Sequence, residues 1–325
     1  MKKLATVIIM VLLASMISAC GASKNTNAGT GNLKMVMLVS NMDTFRSSLA
    51  EASKAKAETM GIEFIILDSE NSIELQVEQI KQALDSGCDV LLCNPVDVST
   101  TLQLEAAAGD MPIVFWNNAP DEKYLEEDRY VYVGSNEEDA GRFQAEYVLN
   151  RFASESEINV AVIMGPDLNP AKEGRTNALK DTFSKSGKTI NYVFMDTADW
   201  STDIAKEIFG VFLKTNQEVD CVICNNDSMA LGIIEACKAN DIDTSTLPIL
   251  GVDATADGCQ AIVEGDMVFT VYQPAVGQGE AVVEAAVAIA SGKSIASVEG
   301  ADENKKYVWV PFEKVDASNV MDYME

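Results

Sequence analysis

The sequence predicts an α/β protein made of two doubly wound parallel-sheet lobes. Three observations predict it. From Leu33 onward, short apolar runs alternate with amphipathic stretches long enough for helices. The apolar runs are nearly continuous in Val, Ile, Leu and Met, as in strands covered on both faces, rather than alternating with polar residues. The whole pattern runs through once and then restarts after Tyr130-Val-Tyr-Val-Gly134.

The first run opens with a strand at Lys34 to Val39. A helix from Phe45 to Met60 follows, closed by Gly61, which accepts the left-handed turn that ends helices. Ile62 to Leu67 reads as the second strand. Asn71 or Ser72 caps the next helix, whose apolar positions Ile73, Val77, Ile80 and Leu84 keep a helical period, and Gly87 stops it. A strand at Val90 to Cys93, a helix near Thr100 to Ala108, and strands at Ile113 to Trp116 and Tyr130 to Gly134 complete the run. The second run has helix Glu137 to Phe152, strand Asn159 to Met164, helix Lys172 to Ser186, strand Ile190 to Met195 and helix Thr202 to Thr215. Strand Asp220 to Cys224, helix Ser228 to Asn240, strand Pro248 to Val252, helix Thr255 to Glu264 and strand Val268 to Tyr272 finish it. A long helix from Val276 to Ser291 and a strand near Tyr307 to Val310 return the chain to the first lobe before it ends in the second.

Ahead of this pattern, Lys2 and Lys3 precede an apolar run from Leu4 to Ile17 and then Ser18, Ala19 and Cys20. A basic start, a short apolar stretch and small residues make an export signal. The run is too short to span a bilayer comfortably. Its Ile-Ser-Ala-Cys20 end resembles the lipobox of bacterial lipoproteins, which implies a signal over residues 1–20 and a lipid on Cys20. Residues 21–32 are small and polar and read as a flexible tether with a reach of about 20 Å. The expected location is outside the cytoplasmic membrane, with the lipid holding the protein at that membrane's outer face or at the periplasmic membrane face.

Composition narrows the function classes. The 325 residues are 47% apolar, enough for two cores. A formal charge of −26 repels nucleic acid and anionic headgroups. There is no histidine, which removes the commonest general base near neutral pH and the commonest transition-metal ligand. Neither a Ser-His-Asp nor a Cys-His nucleophilic site is available. Glycine patterns that cradle phosphates, G-x-G-x-x-G and G-x-x-x-x-G-K-[ST], do not occur. Cys88, Cys93, Cys221, Cys224, Cys237 and Cys259 fall mostly in apolar runs and read as buried free thiols. Cys221 and Cys224 have redox spacing, but three residues along a strand they point to opposite faces.

Open α/β sheets bind ligands at the carboxyl ends of their strands. The residues there are Asp43 and Phe45, Asn94, Asn117, Asn136, Asp167 and Asn169, Asp199 and Trp200, Asn226 and Asp227, Asp253, and Gln273. Arg175 lies early in the helix after Met164. Carboxylates accept, a guanidinium donates in a fixed fork, and amides do both, a set that suits a polyhydroxylated ligand. Phe45 and Trp200 add flat faces for the C–H side of a sugar ring. Helix capping alone is a competing account of Asp43, Asn136, Asp199 and Asp227, and core packing of Phe45.

Several segments carry a family resemblance. They are Ile113-Val-Phe-Trp-Asn117, Tyr132-Val-Gly-Ser135, Met195-Asp-Thr-Ala-Asp-Trp200, Val222-Ile-Cys-Asn-Asn-Asp-Ser-Met-Ala230, Leu250-Gly-Val-Asp253 and Val310-Pro311. Together, and in order from Leu33 on, they resemble the galactose/glucose-binding members of the pentose/hexose class of periplasmic solute-binding proteins. The resemblance implies the type I periplasmic-binding-protein fold, with lobes of residues 33–134 plus 275–308 and 135–274 plus 309–325 joined by three hinge crossings. It implies capture of a monosaccharide by hinge closure, galactose or glucose ahead of a pentose such as ribose or xylose. The implied partners are an ABC permease and, in a sensing role, a chemoreceptor. A monomer is expected, with no catalysis, cofactor, metal or nucleic acid.

The ligand residues implied by the resemblance are Asp43, Phe45, Asn117, Asn169, Arg175, Trp200, Asn226, Asp253 and Gln273. The chain departs from the pattern twice. Where the hexose binders carry a His and an Asp upstream of the arginine, it has Asn169 and Ala171. A hydroxyl that loses its charged partner forfeits roughly 1.5–3 kcal/mol, so a water, Asp167 or Asn136 substitutes, or the ligand differs at that end. The segment Ala153-Ser-Glu-Ser-Glu-Ile158 is too short for the family's calcium loop. The competing enzyme class is a glycoside hydrolase with Asp43 and Asp253 as paired carboxylates.

Overall fold

The computed structural model describes residues 33–324. The expected signal, the lipid site Cys20 and the tether lie outside the described residues.

Strand β1 (Lys34–Val39) leads into helix α1 (Thr44–Thr59), and β2 (Glu63–Asp68) into α2 (Ile73–Asp85), which Ser72 caps. Strand β3 (Val90–Cys93), helix α3 (Thr101–Ala108), and strands β4 (Ile113–Trp116) and β5 (Tyr130–Gly134) follow. The second run has α4 (Glu137–Arg151), β6 (Glu157–Met164), α5 (Pro170–Ser184), β7 (Thr189–Thr197) and α6 (Thr202–Leu213). It continues through β8 (Cys221–Cys224), α7 (Asp227–Ala239), β9 (Ile249–Leu250), α8 (Ala256–Glu264) and β10 (Phe269–Tyr272). Helix α9 (Ala275–Ala290), β11 (Tyr307–Trp309) and β12 (Glu313–Asp316) end the chain.

Two six-stranded sheets result, ordered β11-β5-β4-β3-β1-β2 and β12-β10-β9-β8-β6-β7. The chain therefore crosses between sheets three times: after β5, after β10 and after β11. Each sheet is covered on both faces, and the side chains alternate as a pleat demands. Met35, Met37 and Val39 of β1 join one core with α1 and α9, while Val36 and Leu38 join the opposite core with α2 and α3. In the second sheet Cys221 and Cys224 likewise fall in two different cores. All six described cysteines are buried and free, so the strand argument holds over the redox spacing.

Two expectations need correction. The sheets are not wholly parallel, because β12 pairs antiparallel with β10 at the edge. Its sequence Glu-Lys-Val-Asp has one buried residue, Val315, so it lacks the continuous apolar signal of the inner strands. The strand expected over Pro248 to Val252 shortens to Ile249–Leu250, because Asp253 and Ala254 leave the strand with φ of 115° and 52°.

The crossings are tied together. Gln278 Nε2 donates to Ser135 Oγ at 2.9 Å, and Ser135 Oγ donates to the Val310 carbonyl at 2.6 Å. One short relay thus links the first crossing, the helix after the second, and the third.

Candidate functional site

The carboxyl ends of strands from both sheets meet at one cleft, with a cavity of about 120 Å³. All nine ligand residues implied by the sequence line it: Asp43, Phe45, Asn117, Asn169, Arg175, Trp200, Asn226, Asp253 and Gln273. Arg46, Asn118, Ala171, Ser228 and Thr255 also line it and were not singled out as ligand residues.

Several of these residues do two jobs. Asp43 caps α1, accepting from Arg46 N at 2.8 Å, and also takes Arg46 Nη1 at 2.5 Å. Asn169 caps α5 through its Oδ1, and Asn226 caps α7 by accepting from Met229 N. Capping uses the amide oxygens and leaves both NH₂ groups as donors for a ligand. Asn136 caps α4. Asp199 and Asp227 are not caps: Ser201 and Asn226 hold those positions. Asp227 is instead fully buried, accepting from Thr255 N, Thr255 Oγ1 and Thr270 Oγ1. The two proposed stand-ins for the missing carboxylate at Ala171 do not reach the cleft. Asp167 is exposed and pairs with Lys172, and Asn136 caps α4 through its oxygen without lining the cleft. Asn94 is buried behind the cleft, where it accepts from Ser40 and donates to the Trp116 carbonyl.

Three residues of the cleft lining take a positive φ. Asn117, Trp200 and Asp253 have φ of 58°, 64° and 115°. Non-glycine residues in such regions cost on the order of 1–3 kcal/mol each and persist only where the surroundings hold them. At Asn117 the holder is Tyr132, whose hydroxyl donates to the Asn117 carbonyl at 2.9 Å. At Trp200 it is a seat made by Gly165, where a Cβ would lie 2.2 Å from the indole ring.

Arg175 organises the second-lobe wall. Its side chain is 4% exposed. Nε donates to Glu137 Oε2 at 2.7 Å, Nη1 to the Asn225 carbonyl at 2.6 Å, and Nη2 to Gln273 Oε1 at 3.2 Å. Its guanidinium carbon sits 5.8 Å from the Trp200 ring centre, within cation–π range. Helices α4 and α5 approach closely enough for this because Gly141 has no side chain: a Cβ there would meet the Arg175 carbonyl at 1.9 Å. Asp253 Oδ1 lies 3.8 Å from Arg175 Nη1, and the Asp253 carboxylate accepts no hydrogen bond from the described residues. Burial pushes its pKa well above the usual carboxylate range; Arg175 pulls it back, and Asp227, Glu137 and Asp43 push it further up. Burial likewise raises Asp227, to about 6.

Chemically, the cleft presents two aromatic faces, amide donors, one guanidinium fork and carboxylates with accepting capacity to spare. Asp43 is engaged with Arg46, and Asp253 lies beside Arg175.

Residues 34–294 match the family model described as a periplasmic binding protein domain. The chain is 30% identical to a putative rhizopine-binding protein of Rhizobium meliloti, across 86% of this chain and 89% of that one. It is 28% identical to the D-galactose/methyl-galactoside binding periplasmic protein of Haemophilus influenzae, across 87% and 89%. Among solved structures, it resembles an ABC transporter solute binding protein from Bacillus halodurans with bound myo-inositol. The TM-score there is 0.79 at 28% identity, covering 91% of this chain and 98% of that one.

Proposed function

Because the chain belongs to the periplasmic-binding-protein family, in the type I class of the ribose and galactose binders, we propose that it captures one uncharged sugar by hinge closure and delivers it to an ABC permease. Galactose or glucose is the leading ligand. The two lobes, residues 33–134 plus 275–309 and 135–274 plus 310–325 when β11 is kept whole in the first, each contribute to the site, and a ligand that touches both favours the closed form. A lipid on Cys20 holds the protein near its permease. A chemoreceptor is a second recipient of the closed form.

One observation carries the reading. A single cleft gathers residues from the strand ends of both sheets, with two aromatic rings and a rim of acids, amides and one guanidinium. That set matches a ring whose faces are C–H and whose edge is hydroxyl. A cyclitol is the second reading. Ala171 lines the cleft where the resembled hexose binders carry an Asp, and a similar solved protein holds myo-inositol.

A thermal-shift panel of galactose, glucose, ribose, xylose and myo-inositol tests this. A true ligand at a hundred times its dissociation constant adds about 2.7 kcal/mol, which raises Tm by several degrees. Galactose or glucose is expected to give the largest shift. A largest shift from myo-inositol selects the cyclitol reading, and no shift from any member contradicts sugar capture.

A further inference from the structure

A guanidinium exposed to a ligand cleft is ordinarily an anion reader, because its fork pairs carboxylates bidentately. Arg175 is not free to act that way. Its Nε edge is taken by Glu137 at 2.7 Å, with the two side chains 4% and 10% exposed. Glu137 does not line the cleft; it stands behind Arg175 as the first residue of α4. Its second oxygen, Oε1, is buried with no hydrogen-bond partner among the described residues, and of those residues only Arg175 donates to its carboxylate. Asp253 and the buried Asp227 add further negative charge around the same guanidinium.

Building on the reading that the cleft takes an uncharged ring, we infer that Glu137 is a specificity-determining residue: it cancels the charge of Arg175, so that the fork reads hydroxyls and acidic sugars are rejected. The effect has two parts. Occupying Nε closes one bidentate edge of the guanidinium, and a ligand is left only the N–H groups of the terminal nitrogens that do not already donate to the Asn225 carbonyl and Gln273 Oε1. The carboxylate also repels a ligand carboxylate across a poorly screened interior. One unit charge several Å away, at an effective dielectric near 20, changes affinity by roughly ten- to a hundredfold.

The test is Glu137→Gln, which keeps an oxygen able to accept from Arg175 Nε but removes the charge. Wild type and variant are titrated calorimetrically with galactose and glucose and with galacturonate and glucuronate, at low and high salt. In the variant, affinity for the neutral sugar is expected to stay within a few-fold of wild type. The ratio of uronate to neutral-sugar affinity is expected to rise at least tenfold, most strongly at low salt. A ratio unchanged within twofold overturns the inference and leaves sugar capture standing. Preference of the wild type for a uronate also overturns it. If the wild type binds no neutral member of the sugar panel, ribose, xylose and myo-inositol included, the capture reading falls and this inference with it. Glu137→Ser, neutral and shorter, supplies the same ratio should Glu137→Gln fail to fold.

Discussion

Arg175→Ala is expected to be the most damaging single substitution in the cleft, lowering stability by about 3–5 kcal/mol and abolishing measurable ligand binding. Breaking a buried ion pair from one side costs this much because the partner is left charged and dry. Among the described residues Glu137 loses its only hydrogen-bond donor, and Asp253 loses the one cation within 4 Å. The Asn225 carbonyl and Gln273 Oε1 also lose donors. Arg175→Lys separates charge from shape. An ammonium restores a positive charge but not the fork that spans Glu137, Asn225 and Gln273. Stability should therefore recover in part while affinity stays at least tenfold below wild type. Urea denaturation and calorimetry read the two effects separately. Wild-type stability in Arg175→Ala would show that the network does not hold the lobe together.

Trp200→Ala and Asp253→Asn come next, and they are expected to part company in the free protein. Both should weaken sugar binding at least tenfold, about 1.4 kcal/mol. Trp200→Ala removes a ring face and part of the packing on the second-lobe core, so the free protein loses some stability too. Asp253→Asn should leave the free protein as stable as wild type or more so. The carboxylate accepts no hydrogen bond from the described residues and is crowded by Asp227 and Glu137, so removing its charge relieves repulsion. The pH dependence has a definite sign. A carboxyl whose pKa is raised in the folded state favours folding below its unfolded value, near 4, and that contribution is lost as pH rises through the folded value. The stability advantage of Asp253→Asn should therefore vanish at low pH and grow on the alkaline side. An advantage that instead grows on acidification would reverse the assigned electrostatics.

Much of this architecture is legible in the amino-acid sequence, for a physical reason. Strands covered on both faces must be apolar throughout, and helices packed on one side must be amphipathic, so β1, β3, β4 and β8 announce themselves. β12 does not, because an edge strand with one buried residue has no such obligation. The cleft is legible for a related reason: in a doubly wound sheet, polar residues just past the strands have one common place to go. Glu137 and Arg46 escaped that reasoning. Glu137 opens a run of three acids, Glu137-Glu138-Asp139, that reads as ordinary favourable charge at a helix start. Nothing local says that the first of them reaches Arg175, 38 residues away. Arg46 looks like a solvated helix residue, although its spacing of three from Asp43 could have signalled the pair that closes that wall. The helix-cap reading was also not a true alternative to the binding reading. Asp43, Asn169 and Asn226 cap helices and face the cleft at once, since the end of a strand and the start of the next helix are the same place.

The most direct measurement is a crystal structure of the protein with the sugar that wins the thermal-shift panel. It should show one ring between Phe45 and Trp200, with Asp253 and Arg175 on its hydroxyls and donors from both sheets closing its edge. A saturating sugar found elsewhere on the surface, with these side chains touching only water, would contradict the account.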